Sequence, residues 1–177
     1  MSKVLEQLLV THSSPAICGL KASNLINIKY SDSIYKEIEE LNKKHPKLCF
    51  YILKKDKDKV LVLVYRKNIL KKKLYESENL AFLEELGYDT TSVESMLLCL
   101  KERMALDDFP HEVGVFLGYD LSDIKSFMNG NVCLYVGYWK VYSKLDEKIE
   151  LFNRYTRCKN IVTKMIDKGY PIENFMR

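Results

Sequence analysis

Two apolar runs of strand length lie four residues apart, KLCFYILK (47–54) and KVLVLVYR (59–66), with the turn-like Lys55–Asp58 between them. This is the strongest supersecondary signal in the chain, and it predicts a β-hairpin whose second strand is near-continuously apolar. Around it, LINIKY (25–30) alternates apolar and polar residues as a strand with one buried face does. Helical spacing holds over residues 3–11, 32–44, 68–86 (two pieces broken near Glu76-Ser77) and 92–104. Two short helices follow, one with Pro110 in its first turn and ending at Gly118, the other starting at Asp120 and ending near Asn129-Gly130. Residues 132–142 (VCLYVGYWKVY) predict an aromatic strand. Leu145, Ile149, Phe152, Tyr155, Cys158, Val162 and Met165 then recur at steps of four and three, the stripe of a long C-terminal helix over 144–168. This order predicts an α+β fold: a small mixed or antiparallel sheet with a central hairpin, covered by several helices and the long C-terminal helix. No Gly/Ser/Pro linker interrupts the 177 residues, so residues 1–177 are expected to form one domain.

The longest apolar run, around Val60–Tyr65, is far short of the roughly 18 residues of a membrane span. Glu6 and Gln7 interrupt the N-terminal apolar stretch, which lacks the core of a secretory signal. The cysteines, at 18, 49, 99, 133 and 158, are odd in number and widely spaced. They fit neither a disulfide framework nor paired metal ligands, and read as buried, reduced thiols of a cytoplasmic protein.

Three stretches carry most of the chain's unusual residues: HSSPAICGLKASNL (12–25), FPHEVGVFLGY (109–119) and GYWKVY (137–142). With Tyr65-Arg66, Leu86-Gly87-Tyr88 and Phe152-Asn153-Arg154-Tyr155 they resemble, over residues 8–160, the uncharacterised domain-of-unknown-function family 3793 of clostridial-type anaerobes. The family pattern leads one to expect a His-Cys pair in the first stretch. This chain has His12-Ser13 instead, which counts against a catalytic thiol there. The resemblance implies no established activity, and it associates the chain only loosely with redox or iron metabolism.

The residues themselves narrow the chemistry. Gly19-Leu20-Lys21 lacks the full G-x-x-x-x-G-K-[ST] spacing, which excludes a Walker-type phosphate loop while leaving a looser anion site at Lys21. His111-Glu112 opens like a zincin helix, but position 115 is Val where the second His would stand, so no metal site is expected. Glu112 in a first helical turn is explained by the helix dipole alone. A general base at His111 would need a nucleophile beside it, and none is identifiable; no catalytic residue is assigned. Phe109, Val113, Phe116 and Leu117 would pack inward on this helix, while Gly114 and Gly118, one turn apart, leave a bare strip for a crossing helix or a ligand, packing being the commoner reason.

On a strand, Tyr135, Gly137 and Trp139 would share one face, a flat aromatic wall with a gap at Gly137, against which a planar ligand could stack. The same wall could instead be a sheet face covered by the terminal helix. The functional expectation is a protein that binds a small anionic or planar ligand where residues 12–24, 111–119 and 137–142 converge. Its ligand-binding residues would be His12, Lys21, Asn24, Arg66, His111, Glu112, Tyr119, Trp139 and Lys140, with the cofactor, if any, unknown.

A second surface is implied by charge. The chain carries a net +4, but residues 43–73 hold twelve Lys or Arg against Asp56 and Asp58. Lys54, Lys55, Lys57 and Lys59 cluster at the hairpin tip, and Lys71, Lys72 and Lys73 on the following helix. Such a patch could dock an acidic redox-protein partner. Lysines rather than Arg forks, with no DNA- or RNA-binding motif, argue against nucleic acid, and a solvated face explains many such runs.

Overall fold

The computed structural model describes residues 1–106 and 108–177. Its elements are α1 (Lys3–Ile17), β1 (Ser23–Lys29), α2 (Asp32–Lys44), β2 (Leu48–Lys55), β3 (Lys59–Arg66), α3 (Lys67–Leu74), α4 (Ser77–Glu85), α5 (Val93–Met104), α6 (Val113–Phe116), α7 (Leu121–Met128), β4 (Tyr135–Val136), β5 (Lys140–Val141) and α8 (Leu145–Asp167), followed by a 3₁₀ turn at Ile172–Phe175. The fold is α+β. β1, β3 and β2 form an antiparallel sheet in that order, and β4 pairs with β5 in a second, two-stranded sheet.

β3 is the middle strand, and both its faces are covered, which is why its sequence is near-continuously apolar rather than alternating. Val60, Val62 and Val64 point to one side, where Ile26 and Ile28 of β1 and Phe50 of β2 meet Leu5 and Leu9 of α1, Ile34 and Ile38 of α2, and Val162 of α8. Leu61, Leu63 and Tyr65 point to the other, against Leu70 and Leu74 of α3, Leu83 of α4, Leu97 and Leu100 of α5, and Phe116 of α6. A bulge between Ile52 and Lys54 shifts the β2–β3 register by one residue, and Leu53, alternating with Cys49 and Tyr51, faces this second core. A third, smaller core joins Trp139 and Val141 to Phe152 and Tyr155 of α8.

Four local expectations are corrected. α1 runs through Ser13-Ser14-Pro15 to Ile17 instead of ending before them. Pro15 removes only its own N–H, while Cys18 N still bonds Ser14 O at 2.9 Å and Leu20 N bonds Pro15 O at 2.8 Å. Burial of Ser13, Ser14, Ala16 and Ile17 holds that last turn in place. Residues 132–142 form a tight hairpin rather than one strand, with Leu134 N bonded to Val141 O at 2.8 Å and Gly137 N to Trp139 O at 3.0 Å. Phe109 is exposed, because α6 is a single turn that begins after it. Of the cysteines only Cys158 is buried, the other four being half-buried; all are free.

Among the described residues no helix is long and apolar enough to cross a membrane. Nor does any group of three or more His, Cys, Asp or Glu side chains among them form a metal cluster.

Candidate functional site

The site begins where α1 hands the chain to β1. Gly19, at φ +76°, turns the backbone out of the helix. Ser23 Oγ then donates to Phe116 O at 2.7 Å, fastening the start of β1 to α6. Gly118 (φ +76°) follows, and a Cβ there would meet the Ala22 Cβ at 3.1 Å. The crossing is therefore close enough to put Tyr119 against Lys21, whose Nζ lies 5.2 Å from the Tyr119 ring centre. On the same helix turn, a Cβ at Gly114 would meet Ile124 of α7 at 2.9 Å. The bare strip is filled by a crossing helix.

α7 anchors the aromatic hairpin. Asp123, buried in its first turn, accepts the indole Nε1–H of Trp139 through Oδ2 at 2.8 Å and the backbone N–H of Tyr142 through Oδ1 at 2.8 Å. The rings of Trp139 and Tyr119 stack with centres 4.5 Å apart, and Phe152 packs edge-on to Trp139 at 4.6 Å. Phe152 also fills the space over Gly137, where a Cβ would lie 2.4 Å from its ring. The expected free wall with a gap is thus largely consumed: Tyr119 takes a face of Trp139, and α8 supplies the ring that closes the gap.

What remains open is a cleft of about 440 Å³ between α6–α7 and the β4–β5 turn. Leu25, Val113, Leu117 and Ile124 make its apolar lining, and Phe109, His111 and Phe127 form one rim opposite Tyr138, Trp139 and Lys140. Phe109 is 55% and Phe127 38% exposed, an unusual amount of phenyl surface for so small an area. His111 stands edge-on to Phe127 at 4.9 Å between ring centres, and Lys140 Nζ lies 5.0 Å from the Phe127 centre. Asp123 also borders the cleft, with one carboxylate oxygen already engaged by Trp139 and the other by Tyr142.

Behind Tyr119 the surroundings are dry. Lys21 is 4% exposed, and burial pulls its ammonium down to about 8. Burial likewise pushes the Tyr119 hydroxyl up to about 12. Asn24 Oδ1 is buried with no hydrogen-bond partner among the described residues.

Of the nine expected ligand residues, His111, Tyr119, Trp139 and Lys140 border the cleft. Lys21 sits one layer back, against Tyr119. Asn24 is buried on β1. His12 is exposed on α1 and is not part of the lining. Arg66 is occupied elsewhere: Nε donates to Ile17 O, Nη1 to Arg177 O and Nη2 to Phe175 O, each at 2.8 Å. It binds the end of α1 to the C-terminal turn. Glu112 is buried beneath α6, accepting the Tyr88 hydroxyl at 3.0 Å and the Arg103 guanidinium. Burial, then the Glu112 charge, hold the Tyr88 hydroxyl far above its usual range. Arg66 and Glu112 are structural. Sequence reasoning missed Asp123 as the hub and missed the rim phenyls Phe109 and Phe127. The one legible signal was Asp120 and Asp123 recurring just before the aromatic run.

The basic segment does not form one patch. Lys54, Lys55, Lys57 and Lys59 stand at the hairpin tip, whereas α3 starts at the opposite end of β3, roughly 25 Å away by strand rise. There Lys73 pairs with Glu76 at 2.7 Å and Lys71 lies over Tyr75, while at the tip Lys55 Nζ sits 3.8 Å from the Tyr30 ring centre. Lys72 is exposed.

Comparison with known sequences returns one family: the model described as Protein of unknown function (DUF3793) matches residues 9–176. No curated protein and no solved structure matches the chain.

Proposed function

Because the chain belongs to the DUF3793 family, proteins of unknown function, over nearly its whole length, we propose from the site alone that it binds a small planar ligand carrying an anionic group. The carrying observation is the open cleft itself: about 440 Å³, within the roughly 300–1,000 Å³ of small-molecule sites, mostly apolar, with a few polar groups at its mouth. A planar ring system would lie against the Phe109 and Phe127 rings, which offer edge and face contacts without further desolvation of backbone. Its anionic group would meet Lys140, an exposed cation held over Phe127, and His111, which can donate from a ring nitrogen. Tyr119 and Trp139 form the rigid floor, braced by Asp123. Lys21, one layer behind Tyr119, adds positive potential to the same region without touching the ligand.

Anilinonaphthalene sulfonate, an anion whose naphthalene ring system is planar, tests this reading. Its emission, excited through Trp139, the single tryptophan, should rise saturably. Leu117→Trp, which fills the cleft, and Lys140→Glu, which inverts its mouth charge, should each weaken binding by roughly tenfold or more. Unchanged affinity in both variants would overturn the proposal.

A further inference from the structure

Sharing no residue with the cleft, a surface groove of about 410 Å³ is bordered by Cys18 and Cys158 together with Arg154, Arg157, Ile161 and Phe175. The two cysteines are 140 residues apart in sequence, yet they converge on one carbonyl. Cys18 N donates to Ser14 O at 2.9 Å, and Cys158 Sγ lies 3.7 Å from the same oxygen. The two thiols are also near enough for each to shift the protonation of the other. Cys18 caps the end of α1 and is half-buried, whereas Cys158 is set into the α1–α8 contact. One thiol is therefore reachable and the second stands directly behind it.

The charges divide their roles. The neighbouring Cys158 thiol, assisted by the Arg66 guanidinium, holds the Cys18 thiol below its ordinary value against the cost of burial. The partial negative charge at the C-terminus of α1 opposes this. Cys158, beside the Cys18 sulfur and partly desolvated, is pushed up. The thiolate is the attacking species in thiol chemistry, so the reachable sulfur is also the better nucleophile. Arg154 and Arg157 are exposed, and neither is in an ion pair among the described residues. They give the groove an open, positively charged wall.

We propose that Cys18 and Cys158 form a dithiol site that exchanges with anionic low-molecular-weight disulfides, Cys18 attacking and Cys158 resolving. The Cys18 thiolate attacks one sulfur of the disulfide, forming a mixed disulfide and expelling the other half as a thiolate, which takes a proton from water. Cys158 then gives up its proton to solvent and attacks the Cys18 sulfur, forming the Cys18–Cys158 bond and expelling the second thiolate. The protein dithiol is oxidised by two electrons and the small disulfide is reduced to two thiols. Arg154 and Arg157 bind the carboxylates of the incoming molecule.

Glutathione disulfide is the probe, applied to the full-length reduced chain and read by intact mass and peptide mapping. The wild type should lose the mass of two hydrogens and yield a crosslinked peptide joining Cys18 to Cys158. Cys158→Ser should instead stop at one glutathione on Cys18, with an unchanged circular-dichroism spectrum showing that it folds. Replacing Arg154 and Arg157 with Gln should slow reaction with glutathione disulfide several-fold while leaving the uncharged hydroxyethyl disulfide unaffected. Glutathione appearing on Cys49, Cys99 or Cys133 with no Cys18–Cys158 crosslink in the wild type would overturn the proposal. So would equal rates for the charged and uncharged disulfides.

Discussion

The indole N–H of Trp139 ends on Asp123 Oδ2 at 2.8 Å, and the other oxygen of that carboxylate holds the backbone N–H of Tyr142. One buried side chain on α7 therefore fixes both the tip and the return strand of the hairpin that forms half of the cleft. Hydrogen bonds to a charged acceptor are stronger than neutral ones, and a buried donor left without its acceptor carries the full desolvation cost.

Asp123→Ala should accordingly destabilise the protein by about 2–4 kcal/mol, because a buried and a half-buried donor lose their acceptor at once. Asp123→Asn keeps one carbonyl oxygen and should cost less. Urea unfolding followed through the single tryptophan checks both the order and the size, and the folded Ala variant should show red-shifted Trp139 emission.

Gly137 has no room for a methyl group, since its Cβ would stand 2.4 Å from the Phe152 ring. Gly137→Ala should cost about 1–3 kcal/mol through overpacking. In a Phe152→Leu background that cost should fall, because the obstructing ring is gone; a double-mutant cycle measured by denaturant unfolding reads the coupling. Additive effects would mean that Phe152 does not occupy this space.

Lys21 links stability to pH in an unusual direction. Its ammonium lies at about 8 when folded against an ordinary 10.5. Below pH 8 both states are protonated and the folded state bears the whole cost of a buried charge. Between pH 8 and 10.5 the folded state sheds its proton first, so the unfolded state binds more protons and stability rises with pH. Lys21→Met should thus be most favourable relative to wild type below pH 8, and that advantage should shrink by about 3 kcal/mol by pH 10.5. Comparing the two proteins removes the contributions of Tyr119 and Tyr155, which they share. Urea midpoints across this range provide the measurement.

The sheet was readable because its constraints are local and periodic. β3 occurs over 59–66 as its apolar run predicts, and the split between α3 and α4 falls at the Glu76-Ser77 break. Gly87, at φ +82°, follows the end of α4 as a helix-terminating glycine does. The misreadings came where tertiary contacts outweigh local signals. Pro15 is tolerated inside α1 because packing holds the final turn. The 132–142 segment folds back on itself because Gly137 permits the Phe152 ring to approach and Asp123 captures the tip and the return strand. Residues of 111–119 and 137–142 do meet at the cleft, whereas none of residues 12–24 lines it, and the duties of the charges were not legible. Arg66 and Glu112 look like binding residues in a sequence, and only the fold reveals that carbonyls and a tyrosine–arginine pair already engage them. Phe109 reads as an inward residue because nothing in the spacing marks a helix of a single turn that begins only after it.

The proposed planar-anion cleft lies beside Trp139, and the chain's one indole N–H provides a single nuclear magnetic resonance signal inside that site. Titrating nitrogen-labelled protein with naphthalene sulfonate should move the Trp139 Nε1–H resonance saturably, together with the amides of 111–119 and 138–140. In Lys140→Glu the same shifts should require roughly tenfold more ligand. A Trp139 resonance that stays in place while signals elsewhere respond would contradict the account.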